Sequence, residues 1–169
     1  MNMATSPLSP SNEVLMPFDR KLSYQAAFLA TLRLARHELI LCERDYCESD
    51  IDSRACHDAL WDFFTATPSG RLKIWVQHAD FLATRCPRLL QLRDRFSHLI
   101  EIRQGHDFSL GKEKGFIVAD RQFFLQRHHF SSFRGETGEN PSIVANLQHD
   151  FALLWEQASP ADSLQRLYL

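Results

Sequence analysis

Between Tyr24 and Arg36, apolar residues at Ala27, Phe28, Leu32 and Ala35 recur near the 3.6-residue period of a helix, with Ser23 placed to cap its first turn. The short apolar run Leu39 to Cys42, bounded by charge, predicts a buried strand. Asp52 or Ser53 can cap a second helix that carries Ala55, Ala59, Leu60, Phe63 and Phe64 on one side and stops at Pro68-Ser69-Gly70. Arg71 to His78 then reads as a strand, Phe81 to Ser97 as a helix with Pro87 opening its second part, and Leu99 to Arg103 as a third strand. After a loop from Gly105 to Gly115, Phe116 to Ala119 and Phe123 to Arg127 form a hairpin that turns at Asp120-Arg121-Gln122. His128 to Glu139 is polar and loop-like. Asn140-Pro141 opens a last helix whose Ile143, Val144, Leu147, Phe151, Leu154 and Trp155 share one stripe.

Helices alternating with strands, followed by an antiparallel hairpin, predict a layered α/β/α domain with a mixed sheet of about five strands. Residues 1–20, with Pro7, Pro10 and Pro17 among small polar residues, read as a flexible leader, and residues 21–169 as a single domain. At 169 residues the chain can bury about 70% of its unfolded surface without metal or disulfide support. No window approaches ~20 apolar residues and no charged n-region or apolar h-region opens the chain, so neither membrane insertion nor secretion is expected and the predicted location is cytoplasmic. Cys42, Cys47, Cys56 and Cys86 contain no Cys-x-x-Cys pair. With His57 the first three fit no closed zinc geometry, so free thiols are expected, with neither metal nor cofactor.

Several local patterns resemble one half of the phospholipase D-like superfamily: "HELILCERD", "RLKIWVQHAD", "GKEKGFIVADRQFFLQR" and the closing "NLQHDFALLWEQA", together covering roughly residues 24–158. The ending Phe-x-x-Leu-Trp-Glu is also similar to that of uncharacterised bacterial domains. The superfamily resemblance implies a His-x-Lys-x-x-x-x-Asp motif at the strand before the hairpin turn, in which His attacks phosphorus, Lys holds phosphate oxygens and Asp supports the local structure. Strand residues two apart share a face, so such a His and Lys converge on one phosphate. Aligned on Asp120, this chain has Glu113 at the His position and Gly115 at the Lys position. The resemblance therefore implies the architecture of the superfamily without its catalytic centre, and Asp120 is also ordinary turn chemistry.

Charge is uneven. Residues 43–62 hold Glu43, Asp45, Glu48, Asp50, Asp52, Asp58 and Asp62 against Arg44 and Arg54. Residues 103–134 hold Arg103, Lys112, Lys114, Arg121, Arg127 and Arg134 against Asp107, Glu113 and Asp120. Lys112, Lys114, Arg121, Arg127, His128, His129 and Arg134 are accordingly the candidate ligand-binding residues, for an anionic ligand or partner. Phe130 and Phe133 beside them suit nucleic acid, but a formal charge of -2 on the whole chain supplies little counterion release, and polyanion binding is expected to be weak. The leading expectation is a non-catalytic binding or assembly domain. The alternative is a divergent phosphodiesterase or nuclease that uses His128 or His129 with Lys112 or Lys114. Trp61, Phe63 and Phe64 on the second helix mark a surface for a homodimer or a protein partner.

Overall fold

A computed structural model describes residues 14–105 and 113–164. In chain order the elements are β1 (Val14–Phe18), α1 (Lys21–Leu34), β2 (Glu38–Glu43), α2 (Arg54–Ala66), β3 (Arg71–Val76), α3 (Asp80–Arg85), α4 (Pro87–Arg95) and β4 (Ile100–Gln104). They continue with β5 (Gly115–Ala119), β6 (Phe123–Arg127), β7 (Gly135–Glu139), α5 (Pro141–Gln157), β8 (Ser159–Pro160) and a single 3-10 turn at Asp162–Leu164.

Local chemistry accounts for most boundaries. Ser53 caps α2 by accepting from the Cys56 N–H at 3.1 Å, and Asn140 caps α5 by accepting from the Ile143 N–H at 3.1 Å, with Pro141 following it. Ser23 works from inside α1: its Oγ accepts from the Arg20 N–H and donates to the Arg20 carbonyl, so the helix starts three residues before the predicted Tyr24. The helix expected over Phe81 to Ser97 is two helices, because Pro87 has no N–H to donate and begins α4 afresh.

The described residues form one sheet of eight strands in the order β1-β7-β6-β5-β2-β3-β4-β8. This corrects the expected number of about five. The five expected strands are the contiguous centre, β6-β5-β2-β3-β4, and the three others are its edges. β2, β3 and β4 run parallel, joined by helical crossovers, while β5, β6, β7 and β1 continue the sheet antiparallel. Val14–Phe18, expected within a flexible leader, is strand β1, paired with β7 along its length. A central strand cannot lack ladder donors, but an edge strand tolerates Pro17.

Strand parity sorts the core into two sides. Leu39 and Leu41, Leu72, Ile74 and Val76, Ile117 and Ala119, and Leu125 face α1 to α4. Ile40, Cys42, Trp75, Phe116, Val118 and Phe124 face α5, against Val144, Leu147, Phe151, Leu154 and Trp155. The layers are thus helices, sheet, helix, as expected. Phe63 and Phe64 are buried in the first of these cores, and Trp61, partly exposed, packs on His57 and Phe96.

The β1–β7 pair depends on Gly138, whose φ of +153° is one that side chains disfavour and whose added Cβ would fall against the Val14 carbonyl. Gly138→Ala is expected to loosen β1 and to cost about 1–3 kcal/mol. Amide exchange at Leu15 and Met16 should accelerate while the amides of β2 and β3 keep their protection.

Candidate functional site

β2, β5 and β6 bring three positions into one row on the α1 side of the sheet. Cys42 pairs with Phe116, and Gly115 with Arg127. One step further along the first register, Glu43 at the end of β2 lies beside Gly115. Glu43, Gly115 and Arg127 have the same parity as Leu41, Ile117 and Leu125, so all three point toward α1. The Arg127 Nη2 donates to Glu43 Oε1 at 2.7 Å, across the bare backbone of Gly115. Both side chains are 4% exposed. A Cβ on Gly115 would collide with Glu43 Oε2, so the ion pair fills the space that any other residue there would need.

The pair is closed in by aromatic rings. Tyr24 donates from its hydroxyl to Glu43 Oε2 at 3.4 Å, and the Arg44 N–H donates to Oε1 at 3.2 Å. The Arg127 guanidinium stands over the rings of Tyr24, Phe130 and Phe133 at 5.1, 6.0 and 5.8 Å, while its Nε has no hydrogen-bond partner among the described residues. Burial raises the Glu43 carboxyl above its ordinary value, against the downward pull of Arg127. Burial, and then the Glu43 charge, hold the Tyr24 phenol well above its own, so it remains a donor.

The other positions implied by the resemblance lie at the two ends of β5. Glu113 continues the hairpin register opposite His129, and their exposed side chains meet at 2.9 Å through Oε2 and Nε2. The other ring nitrogen of His129, Nδ1, lies 2.6 Å from Ser131 Oγ and accepts from the Ser131 N–H. At the far end, the three-residue turn Asp120-Arg121-Gln122 joins the hairpin, with Asp120 and Arg121 both at a φ of +56° and the Gln122 N–H donating to the Ala119 carbonyl. The Asp120 carboxylate accepts from the N–H groups of Arg36, His37 and Glu38 at 2.7 to 2.9 Å. It ties the entry of β2 to the hairpin, which is a larger structural part than turn chemistry alone.

The seven candidate binding residues do not share one surface. Lys112, with His106 and Asp107, lies outside the described residues. Lys114 has the opposite parity to Gly115 and pairs with the buried Asp150 of α5 at 3.4 Å. Arg121 pairs with Glu38 at the turn end, and Arg127 is committed to Glu43. His128, His129 and Arg134 do come together, on a concavity of about 630 Å³ shared with Phe18, Asp19, Ser132 and Glu136. Charge counting could not foresee this division, because it ignores which face each residue takes. Glu43 went unrecognised among the acidic residues of its segment. The signal available was a carboxylate closing an otherwise apolar strand, which must find a buried cation.

Among the described residues no three His, Cys, Asp or Glu side chains converge as a metal site, and no helix is long and apolar enough to cross a membrane. Cys42, Cys56 and Cys86 are buried. Cys47 is exposed, and partial burial with the nearby Asp45 pushes its thiol up to about 11.

The fold is like that of solved phospholipase D family members. The chain is similar to Nuc of Salmonella typhimurium, a phospholipase D family member, with a TM-score of 0.61 and 10% identity over 88% of this chain and 97% of that one. It is similar to NucT of Helicobacter pylori, with a TM-score of 0.61 and 8% identity over 88% and 99%. It is also similar to TrmBL2, an archaeal chromatin protein with a novel mode of DNA binding, with a TM-score of 0.65 and 14% identity over 94% of this chain. It spans 56% of the length of that protein. No curated protein sequence matches it. Residues 20–167 match the family described as Domain of unknown function (DUF7931), and the chain belongs to that family.

A buried ion pair that loses one member is worse than no pair at all. Arg127→Met is expected to cost about 3–5 kcal/mol in urea unfolding, because it strands the Glu43 charge. Adding Glu43→Gln, which keeps an acceptor for Tyr24 and Arg44, should recover most of that loss. Additive losses in the double variant would mean that the two groups are not coupled.

Proposed function

We propose that this chain is a phospholipase D-like domain that no longer transfers phosphoryl groups and serves in binding or assembly. The carrying observation is the row Glu43–Gly115–Arg127. On the alignment through Asp120, Gly115 stands where the superfamily has its phosphate-holding Lys, and the space above it is taken by an internal carboxylate and its guanidinium. A phosphate entering there would meet Glu43 before any free cation. Glu113, at the nucleophile position, lacks the imidazole that would form a phosphorus–nitrogen bond.

The contact surface in this reading is the concavity beside β7. His128, His129 and Arg134 supply donors to an anionic ligand or partner, and Asp19 and Glu136 limit its net charge. Nucleic acid is one ligand of that chemistry, and the likeness to a DNA-binding chromatin protein favours trying it first. The mixed lining and the net charge of the chain call for modest affinity that falls steeply with salt.

One observation favours a second reading, a divergent phosphodiesterase. His129 stands opposite Glu113 and is oriented by it, so an imidazole from the segment that follows β6 reaches the place where the superfamily keeps its nucleophile.

One set of assays separates the two. With bis-p-nitrophenyl phosphate, DNA and phosphatidylcholine as substrates, turnover is expected at the buffer rate, while DNA binding weakens with salt and drops severalfold in Arg134→Ala. Turnover with a His-like limb in its pH profile, abolished by His129→Ala and by Glu113→Ala, would replace the binding reading with the enzymatic one.

A further inference from the structure

Helix α1 turns Tyr24, Phe28, Thr31 and Leu32 toward the sheet. On its other side Leu22, Ala26, Ala30 and Leu34 recur every four residues, and all four are exposed, Leu22 by 80%. Residues at this spacing form one ridge along a helix. Next to the ridge an apolar groove of about 520 Å³ runs between α1 and the open edge strand β1, lined by Ala26, Ala30 and Leu34 on one wall and by Val14 and Met16 on the other. Six large hydrophobic side chains are exposed among the described residues, and four of them, Val14, Met16, Leu22 and Leu34, lie on this face, while Leu15 takes the opposite strand parity. A concentration of that kind marks an interaction surface rather than ordinary scatter.

We infer that a second copy of this chain covers the face, through a two-fold contact between the α1 helices. The ridge reads Leu-x-x-x-Ala-x-x-x-Ala-x-x-x-Leu, the same sequence of sizes in either direction. A two-fold axis perpendicular to the helix at the level of Phe28 places Leu22 against Leu34 of the other copy and Ala26 against Ala30 of the other copy. An isologous interface requires this property, since each residue must suit both its own partner and the reciprocal contact. The two alanines let the helix axes approach to the short end of the usual 8–10 Å, with the i±4 ridges interdigitating at about −50°. Each Leu22, otherwise bare, then sits at the Leu34 end of the groove in the opposite copy.

Charge does not oppose the contact. The ridge itself carries none, and Lys21 at its start is drawn aside to Glu48 at 3.1 Å. α1 is about 21 Å long, and Val14 and Met16 of β1 extend the apolar face beside it, so the contact can run the whole length of the helix. The surface differs from the Trp61, Phe63 and Phe64 patch expected from the sequence, whose two phenylalanines are buried.

Light scattering or sedimentation of the full chain at tens of micromolar provides the test. The expected result is twice the chain mass for the wild type and for Trp61→Ala. Leu22→Glu and Ala30→Glu should each return the chain mass with an unchanged circular dichroism spectrum, since Glu at an exposed helix position leaves the fold intact. Their dissociation constants are expected to rise roughly tenfold or more. A monomeric wild type overturns the inference, as does a dimer that survives both charged variants. So does a wild type that is monomeric and floats with phosphatidylcholine vesicles through the same ridge.

Discussion

The Glu43 carboxylate and the Arg127 guanidinium meet at 2.7 Å where neither reaches solvent, and the surrounding residues are arranged to keep them together. Removing two charges from water costs more than their attraction returns unless every remaining hydrogen bond is made. Tyr24, the Arg44 N–H and a ring of aromatic faces meet that condition in part, and the upward displacement of the Glu43 carboxyl shows burial outweighing its cation. The pair therefore adds little net stability. It adds uniqueness, because only the observed register puts Arg127 beside Gly115 and Gly115 beside Glu43, and a slip by one residue would turn both charges to the opposite face.

In the proposed reading the same pair limits what the scaffold can do. The fold is shared with phospholipase D family members at 8–10% identity, so architecture carries over while activity has to be argued from the site. In the proposed reading the row above β5 is satisfied internally, and a cation already neutralised by a buried acid is not available to a phosphate. That reading assigns binding at this end of the sheet to His128, His129 and Arg134, which are exposed to water. The ridge on α1 lies on the same side of the sheet and uses none of these residues, so assembly and ligand contact are separable.

Much of this was legible in the chain. The five central strands have strong apolar patterns because helices cover both faces of the sheet there, the last helix shows one apolar stripe because one of its sides packs on the sheet, and the caps Ser53 and Asn140 act where the sequence puts them. The edge strands were not legible. β7 is Gly-Glu-Thr-Gly-Glu and β1 contains a proline, so each is a strand by virtue of its neighbour's hydrogen bonds and not through its own side chains. Most of the candidate site was read as a basic surface, which parity then divided: Lys114 went to α5, Arg127 inward and Arg121 to the turn. Gly115 was identified as the vacant motif position, yet the reason for the vacancy lay 72 residues earlier in Glu43, at a distance no local pattern spans.

The central claim concerns where an anion cannot go, and Arg127 can be observed directly. In a chain carrying labelled arginine, the side-chain nitrogen resonances of Arg127 are followed by NMR while inorganic phosphate or vanadate is added. The account predicts that these signals stay fixed while any change is confined to the exposed side chains beside β7. A saturable shift at Arg127 that Glu43→Gln makes tighter would contradict it, since the guanidinium would then be exchanging its internal partner for the ligand.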